Sequence, residues 1–88
     1  MEVVTEISPV KKLNYQQLIQ LSSIANRFAS YIVIKKETFE VNAKSILALS
    51  VLPTIEGKYE IIAFGKDAKE AVDTLGYFLS NTTNQSAM

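Results

Sequence analysis

The sequence has 88 residues, nine Lys and Arg against nine Asp and Glu, and neither histidine nor cysteine. That length makes one small domain with a modest core. The charge balance leaves no long-range field to draw the chain to nucleic acid or anionic lipid, and the absent residue types exclude an imidazole base, phosphohistidine, a thiolate nucleophile, disulfides and zinc-finger ligand sets.

Addressing signals are missing as well. Residues 1–10 carry Glu2 and Glu6 in place of the basic-then-apolar order of a signal peptide. The apolar runs are far shorter than the roughly 18 residues that span a bilayer. The sequons at Asn81 and Asn84 carry no meaning without a secretory route. The expectation is a soluble cytoplasmic protein with no cofactor, no metal site, no membrane contact and no direct contact with nucleic acid.

In chain order, Glu2 to Ile7 reads as a strand with imperfect alternation at Val3, Val4 and Ile7, stopped by Pro9. A helix follows from Tyr15 to Phe28. Tyr15, Leu18, Ile19, Leu21, Ile24, Ala25 and Phe28 fall on the three-and-four spacing of one buried face. Asn14 is its N-cap, Gln17 completes a capping box, and Leu13 is placed to staple onto Leu18. Tyr31 to Lys36 is a β-branched and aromatic strand. Glu37 and Thr38 make a two-residue turn of weak turn chemistry, and Phe39 to Val41 is the partner strand.

The stretch "NAKSILALS" then opens a second helix of about two turns. Ser45 is its N-cap, it runs from Ile46 to Leu52, and Pro53 closes it. Gly57 marks a turn before a strand from Lys58 to Phe64, in which Tyr59, Ile61 and Ala63 oppose Glu60, Ile62 and Phe64. The last helix has an apolar stripe of Ala68, Ala71, Val72, Leu75, Phe78 and Leu79, with Asp67 and Glu70 as an acidic first turn. Residues 1–80 form the domain, and residues 81–88 are a polar tail that composition reads as disordered. Lys11, Lys12, Lys35, Lys36, Lys66, Lys69 and Glu70 form solvated faces.

The order β-α-β-β-α-β-α calls for an α+β fold with helices on one face of a mostly antiparallel sheet. Two architectures fit it, the ferredoxin-like split and the open-faced β-sandwich, and pattern alone does not separate them. The residues do. "AKSILALSVL", followed by Gly57, an alternating strand and "GKDAKEAVDTL", resembles HPr, the histidine-containing phosphocarrier of the bacterial sugar phosphotransferase system. The resemblance runs from about Leu13 to Leu79 with one small deletion near Gly65. It implies a four-stranded antiparallel sheet with helices on one face.

In that family a histidine at the start of the first helix takes a phosphoryl group from enzyme I and passes it to sugar-specific acceptors. The family's spacing puts Asn14 at the histidine position, Gln16 at the position of the arginine that holds the phosphoryl group, and Gln17 at that of the following proline. The string "SIANRFAS" superficially echoes the family's motif, but Ala25 stands only twenty residues before Ser45 and lies inside a helix. An amide nitrogen is not nucleophilic, so Asn14 accepts no phosphoryl group, and Gln16 brings no charge to offset one. The chain therefore reads as a non-catalytic member, similar to the Crh-type catabolite-repression paralogues.

Ser45 stands where HPr proteins of many Gram-positive bacteria are phosphorylated by the ATP-dependent HPr kinase/phosphorylase, to act as corepressor with a catabolite control transcription factor. The resemblance thus implies regulatory phosphorylation at Ser45, with Lys44 as a nearby cation and Ile46, Leu47 and Leu49 as flanking apolar surface. The cap role holds in either case. Ser50 falls where many such members carry methionine, a departure on the side implied for the transcription factor. Asn14, Tyr15, Gln16 and Gln17 are a candidate docking surface inherited from the enzyme I face. Two other readings stay open: a constitutive interaction module without phosphorylation, and a small-molecule-binding ferredoxin-like domain.

Overall fold

Alternation along the strands sets the architecture. In the computed structural model, which describes residues 1–7, 14–50 and 59–85, the elements are β1 (Glu2–Ile7), α1 (Tyr15–Ala25), β2 (Tyr31–Lys36), β3 (Phe39–Asn42), α2 (Ile46–Leu49), β4 (Tyr59–Phe64) and α3 (Ala68–Gln85). The strands form one sheet in the order β1-β4-β2-β3, with every neighbouring pair antiparallel. A ferredoxin-like split has its first and third strands at the centre. Here β4 and β2 are central, which is the open-faced sandwich and removes the ferredoxin-like reading.

The register stacks Tyr59, Ile61 and Ala63 of β4 between Val3, Thr5 and Ile7 on one side and Ile32 and Ile34 on the other. This face lies under the helices. Leu21, Ile32, Leu49, Ile61 and Leu75 are essentially inaccessible within it, and each buried side chain of this size contributes about 1.5–3 kcal/mol. The β2–β3 hairpin turns through Glu37, whose φ of 57° lies in the left-handed region. Without a glycine there, the turn carries about 1–2 kcal/mol of steric cost.

Several boundaries differ from the sequence reading. Helix α1 stops at Ala25, three residues before Phe28, because the end of the helix is satisfied from outside the α-helical pattern. The N–H groups of Arg27 and Phe28 tighten onto the carbonyls of Ile24 and Ala25, and the Asn26 side chain donates to the Ser22 carbonyl at 2.8 Å. Helix α3 runs on to Gln85, so the backbone of residues 81–85 is helical where composition calls for a structureless tail. Its apolar stripe ends at Leu79, but adding residues to an established helix is far easier than starting one. Pro9, Lys11, Lys12, the Leu13 staple, the end of the second helix at Leu52 and Pro53, the Gly57 turn and Lys58 lie outside the described residues.

Asp67, just ahead of α3, is more than an acidic first-turn residue. Its carboxylate accepts the backbone N–H groups of Ala29 and Ser30, both at 2.9 Å, and the Ser30 hydroxyl. Ser30 is 1% exposed. Gly65 makes this approach feasible: its φ is +142°, and a Cβ there would sit 2.5 Å from Ser30 Oγ and 2.9 Å from Ser30 Cα. Gly76 is the opposite case, since its Cβ would meet only Ile7 Cδ1, at 3.9 Å.

Two outcomes follow for stability. The hydrogen bonds from Ser30 and then Ala29 hold the Asp67 carboxyl below its ordinary range, so its contribution is complete above the ordinary carboxylate pKa and disappears as pH falls through the lowered folded value. Asp67→Asn is expected to melt below the wild type at pH 7, with the gap closing in acid; thermal melts from pH 7 to pH 2 check this. Gly76→Ala is expected to stabilise the fold by about 0.5–1 kcal/mol in urea unfolding, because alanine removes a helix-interior glycine without a clash.

Candidate functional site

Two helix starts carry the residues that the sequence singles out. At the first, Asn14 has extended backbone (φ −84°, ψ 174°) and makes the expected capping box. Its Oδ1 accepts the Gln17 N–H at 2.8 Å, and its own N–H donates to Gln17 Oε1 at 2.9 Å. Asn14, Tyr15 and Gln16 are exposed and Gln17 is half-buried. The Asn14 oxygen is thus held by the backbone and the amide nitrogen has no lone pair to offer an electrophile. Gln16 presents an uncharged amide to solvent.

At the second start, Ser45 caps α2 with φ −111° and ψ 115°. Its Oγ accepts the Ala48 N–H at 3.1 Å, and its N–H donates to the Asn42 carbonyl at 3.1 Å. The residue is half-buried. Asn42 also receives the Lys44 N–H through Oδ1 at 2.8 Å, so one side chain and one carbonyl of Asn42 shape the turn that delivers Ser45.

Lys44 is bound more tightly than the sequence suggests. Its carbonyl accepts the Ser22 hydroxyl at 3.0 Å and the Asn26 amide at 3.1 Å. Its ammonium donates to the Phe28 carbonyl at 2.6 Å. The ammonium expected beside Ser45 is thus engaged by the Phe28 carbonyl, in the turn that follows α1.

The apolar residues around Ser45 divide by helical direction. Leu47 is 82% exposed and Leu49 is 1% exposed. Leu49 is therefore a core residue, and its assignment to a contact surface is corrected: two positions along a helix turn the side chain to the far side. Ile46 is half-buried. On α1, which packs against α2, Tyr15 is 66% and Ile19 38% exposed. Asn14 and Lys44 are brought to opposite ends of α1, about 16 Å apart along its axis at 1.5 Å per residue.

The Ser22–Asn26–Lys44 bracket was missed in the sequence. A signal for it exists: Ser22 interrupts the apolar face between Leu21 and Ala25, and Asn26 stands one helical turn beyond it. Among the described residues, no cluster of His, Cys, Asp or Glu is placed to hold a metal ion, and no helix is long and apolar enough to cross a membrane.

Comparison with known proteins agrees with this arrangement. Residues 6–81 match the family model described as the PTS HPr component phosphorylation site. The HPr-like protein Crh of Bacillus subtilis is 39% identical over 56 residues, 62% of this chain and 66% of that protein. The Crh protein of Halalkalibacterium halodurans is 43% identical over 56 residues, 62% of this chain and 67% of that one. The crystal structure of the phosphocarrier protein HPr of Bacillus anthracis superposes with a TM-score of 0.79 at 28% identity, over 89% of this chain and 96% of that chain. With its sheet order, its two capped helix starts and a family match spanning most of its length, the chain belongs to the HPr family of the phosphotransferase system.

Proposed function

We propose that this chain is a non-catalytic, regulatory member of the HPr family that carries no phosphohistidine and receives its signal as a phosphate on Ser45. The observation that carries the reading is the contrast between the two helix starts. Asn14 offers a hydrogen-bonded amide where the family's chemistry needs a nucleophile. Ser45 offers a hydroxyl on a strand-to-helix turn, next but one to an 82%-exposed leucine.

Phosphorylation suits the local chemistry. The ester oxygen of phosphoserine still accepts the Ala48 N–H, and the phosphate oxygens meet first-turn N–H groups that lack intrahelical partners. Because α2 is only Ile46–Leu49, these local donors matter more than a helix dipole. The modification takes a chain of formal charge zero to about −2. The Lys44 ammonium already donates to the Phe28 carbonyl, so a phosphate on Ser45 competes with that carbonyl for the same charge. The partners that fit are a kinase of the HPr kinase/phosphorylase type and, for the phosphorylated form, a catabolite control transcription factor. Ile46 and Leu47 supply the apolar contact beside the charge.

With ATP and HPr kinase, mass spectrometry is expected to map one phosphate to Ser45 and none on Ser45→Ala. An unmodified chain beside a labelled HPr control overturns the reading. Phosphorylated enzyme I is expected to transfer nothing to the wild type, whereas Asn14→His with Gln16→Arg gains acid-labile phosphate, measured by radiolabel transfer at neutral and acid pH.

A further inference from the structure

The peptide plane that delivers Ser45 is held at both ends. Its carbonyl, which belongs to Lys44, accepts the Ser22 hydroxyl at 3.0 Å and the Asn26 side-chain amide at 3.1 Å. Its N–H, which belongs to Ser45, donates to the Asn42 carbonyl at 3.1 Å. A peptide unit is rigid and planar, so two donors from α1 and an acceptor at the end of β3 together remove its freedom to turn. The hydroxyl that follows is set as closely. Ser45 Oγ accepts the Ala48 N–H at 3.1 Å, which fixes its rotamer and turns the hydroxyl proton away from Ala48.

Helix α1 devotes two polar side chains to this one carbonyl. Ser22 is 3% exposed and stands on the buried face between Leu21 and Ala25. Asn26 follows one helical turn later, so both side chains reach the same point. One donor removes most of the cost of burying a carbonyl. The second occupies the remaining lone pair and adds direction.

We propose that Ser22 and Asn26 are positioning residues for phosphoryl transfer to Ser45, an inference that rests on the phosphorylation reading. In that transfer Ser45 Oγ attacks the γ-phosphorus of ATP, and the bond from that phosphorus to the bridging oxygen of ADP breaks. ADP leaves, and the hydroxyl proton passes to a base of the kinase. Catalysis of this kind is mostly positioning. The kinase orients ATP, and the substrate must orient Oγ. A flexible acceptor loses conformational entropy on reaching the transition state, whereas a hydroxyl already fixed by its own fold does not. Here the fixing groups lie on α1, outside the segment that carries the serine. The unit presented to the kinase is therefore the packed pair of α1 and the Ser45 turn, not the residues flanking Ser45 alone.

The test is steady-state phosphorylation of the full chain by ATP and HPr kinase, with each variant assayed well below its melting temperature. Ser22→Ala with Asn26→Ala removes both donors. It is expected to lower kcat at least about tenfold and to leave KM within about threefold of the wild type. Ser22→Ala alone, which spares the fold more, is expected to lose about threefold in kcat, and Ser22→Thr, which keeps the donor, to lose less than about twofold. Asp67→Asn weakens the fold from the other side of the 26–30 turn without touching the Lys44 carbonyl, and is expected to leave kcat unchanged. Amide exchange at Ser45 is expected to quicken in the double variant and not in Asp67→Asn, which reports the released peptide plane without the kinase. An unchanged kcat in the double variant, a rise in KM alone, or an equal fall in Asp67→Asn overturns the inference and leaves Ser45 phosphorylation standing. A wild type that takes no phosphate beside a labelled HPr control overturns both.

Discussion

Residues 26–30, where α1 ends and β2 begins, have their polar groups satisfied from two directions. From one side Lys44 places its ammonium on the Phe28 carbonyl, and its own carbonyl takes the Asn26 amide. From the other side Asp67 takes the backbone N–H groups of Ala29 and Ser30 and the Ser30 hydroxyl. A turn of this kind, with Ser30 buried, leaves donors and acceptors that cost about 1–3 kcal/mol each if unpaired. Here the partners come from the segments that open α2 and α3. One turn thereby fixes where α1 stops, where β2 starts and where both later helices begin. Gly65 belongs to the same constraint, because a side chain there would collide with Ser30.

The same bracket makes the Ser45 turn a coupled element and not an isolated cap. Ser45 follows directly on a residue held at three points at the end of α1, so the proposed phosphate would give the Lys44 ammonium a choice between two acceptors. Keeping the ammonium on Phe28 would leave a phosphate to its backbone donors; moving it to the phosphate would take that donor from the Phe28 carbonyl. Charge-assisted bonds to phosphate are the stronger class, which inclines the balance toward release of the α1 end. Under the proposed function, a phosphate on Ser45 would thus reach the end of the neighbouring helix through one side chain.

Much of this was legible in the sequence because it is local. The Asn14–Gln17 box and the Ser45 cap are patterns spanning four residues, and the alternation Tyr59, Ile61, Ala63 declares its buried face directly. The order of the strands was legible only through a resemblance, since short connections constrain neighbours but not which strand is central. The misses are long-range or directional. Asp67 and Ser30 are 37 residues apart, and an acidic residue before a helix has a sufficient local explanation that conceals a distant one. Lys44 looks like a cation beside a serine until the end of α1 is seen to need it. Leu49 and Leu47 are equally apolar, and only the position of the core distinguishes them. The helical extension past Leu79 was missed because polar composition describes what a segment buries, not whether an existing helix continues through it.

Neutrality is the last property that sequence describes at the wrong scale. A net charge of zero governs attraction at distances beyond the roughly 8 Å over which physiological salt screens charge. It says nothing about how charges are arranged within that distance. Antiparallel pairing brings Glu6, Glu60, Lys35 and Glu40, scattered through three sequence segments, into one row. The same pairing brings Tyr31 beside Phe64. The alternation that builds the core therefore also builds, from the residues it leaves over, a second face of apolar and charged rows. The helices and Ser45 occupy the first face, so the sheet stands between the proposed phosphosite and these rows.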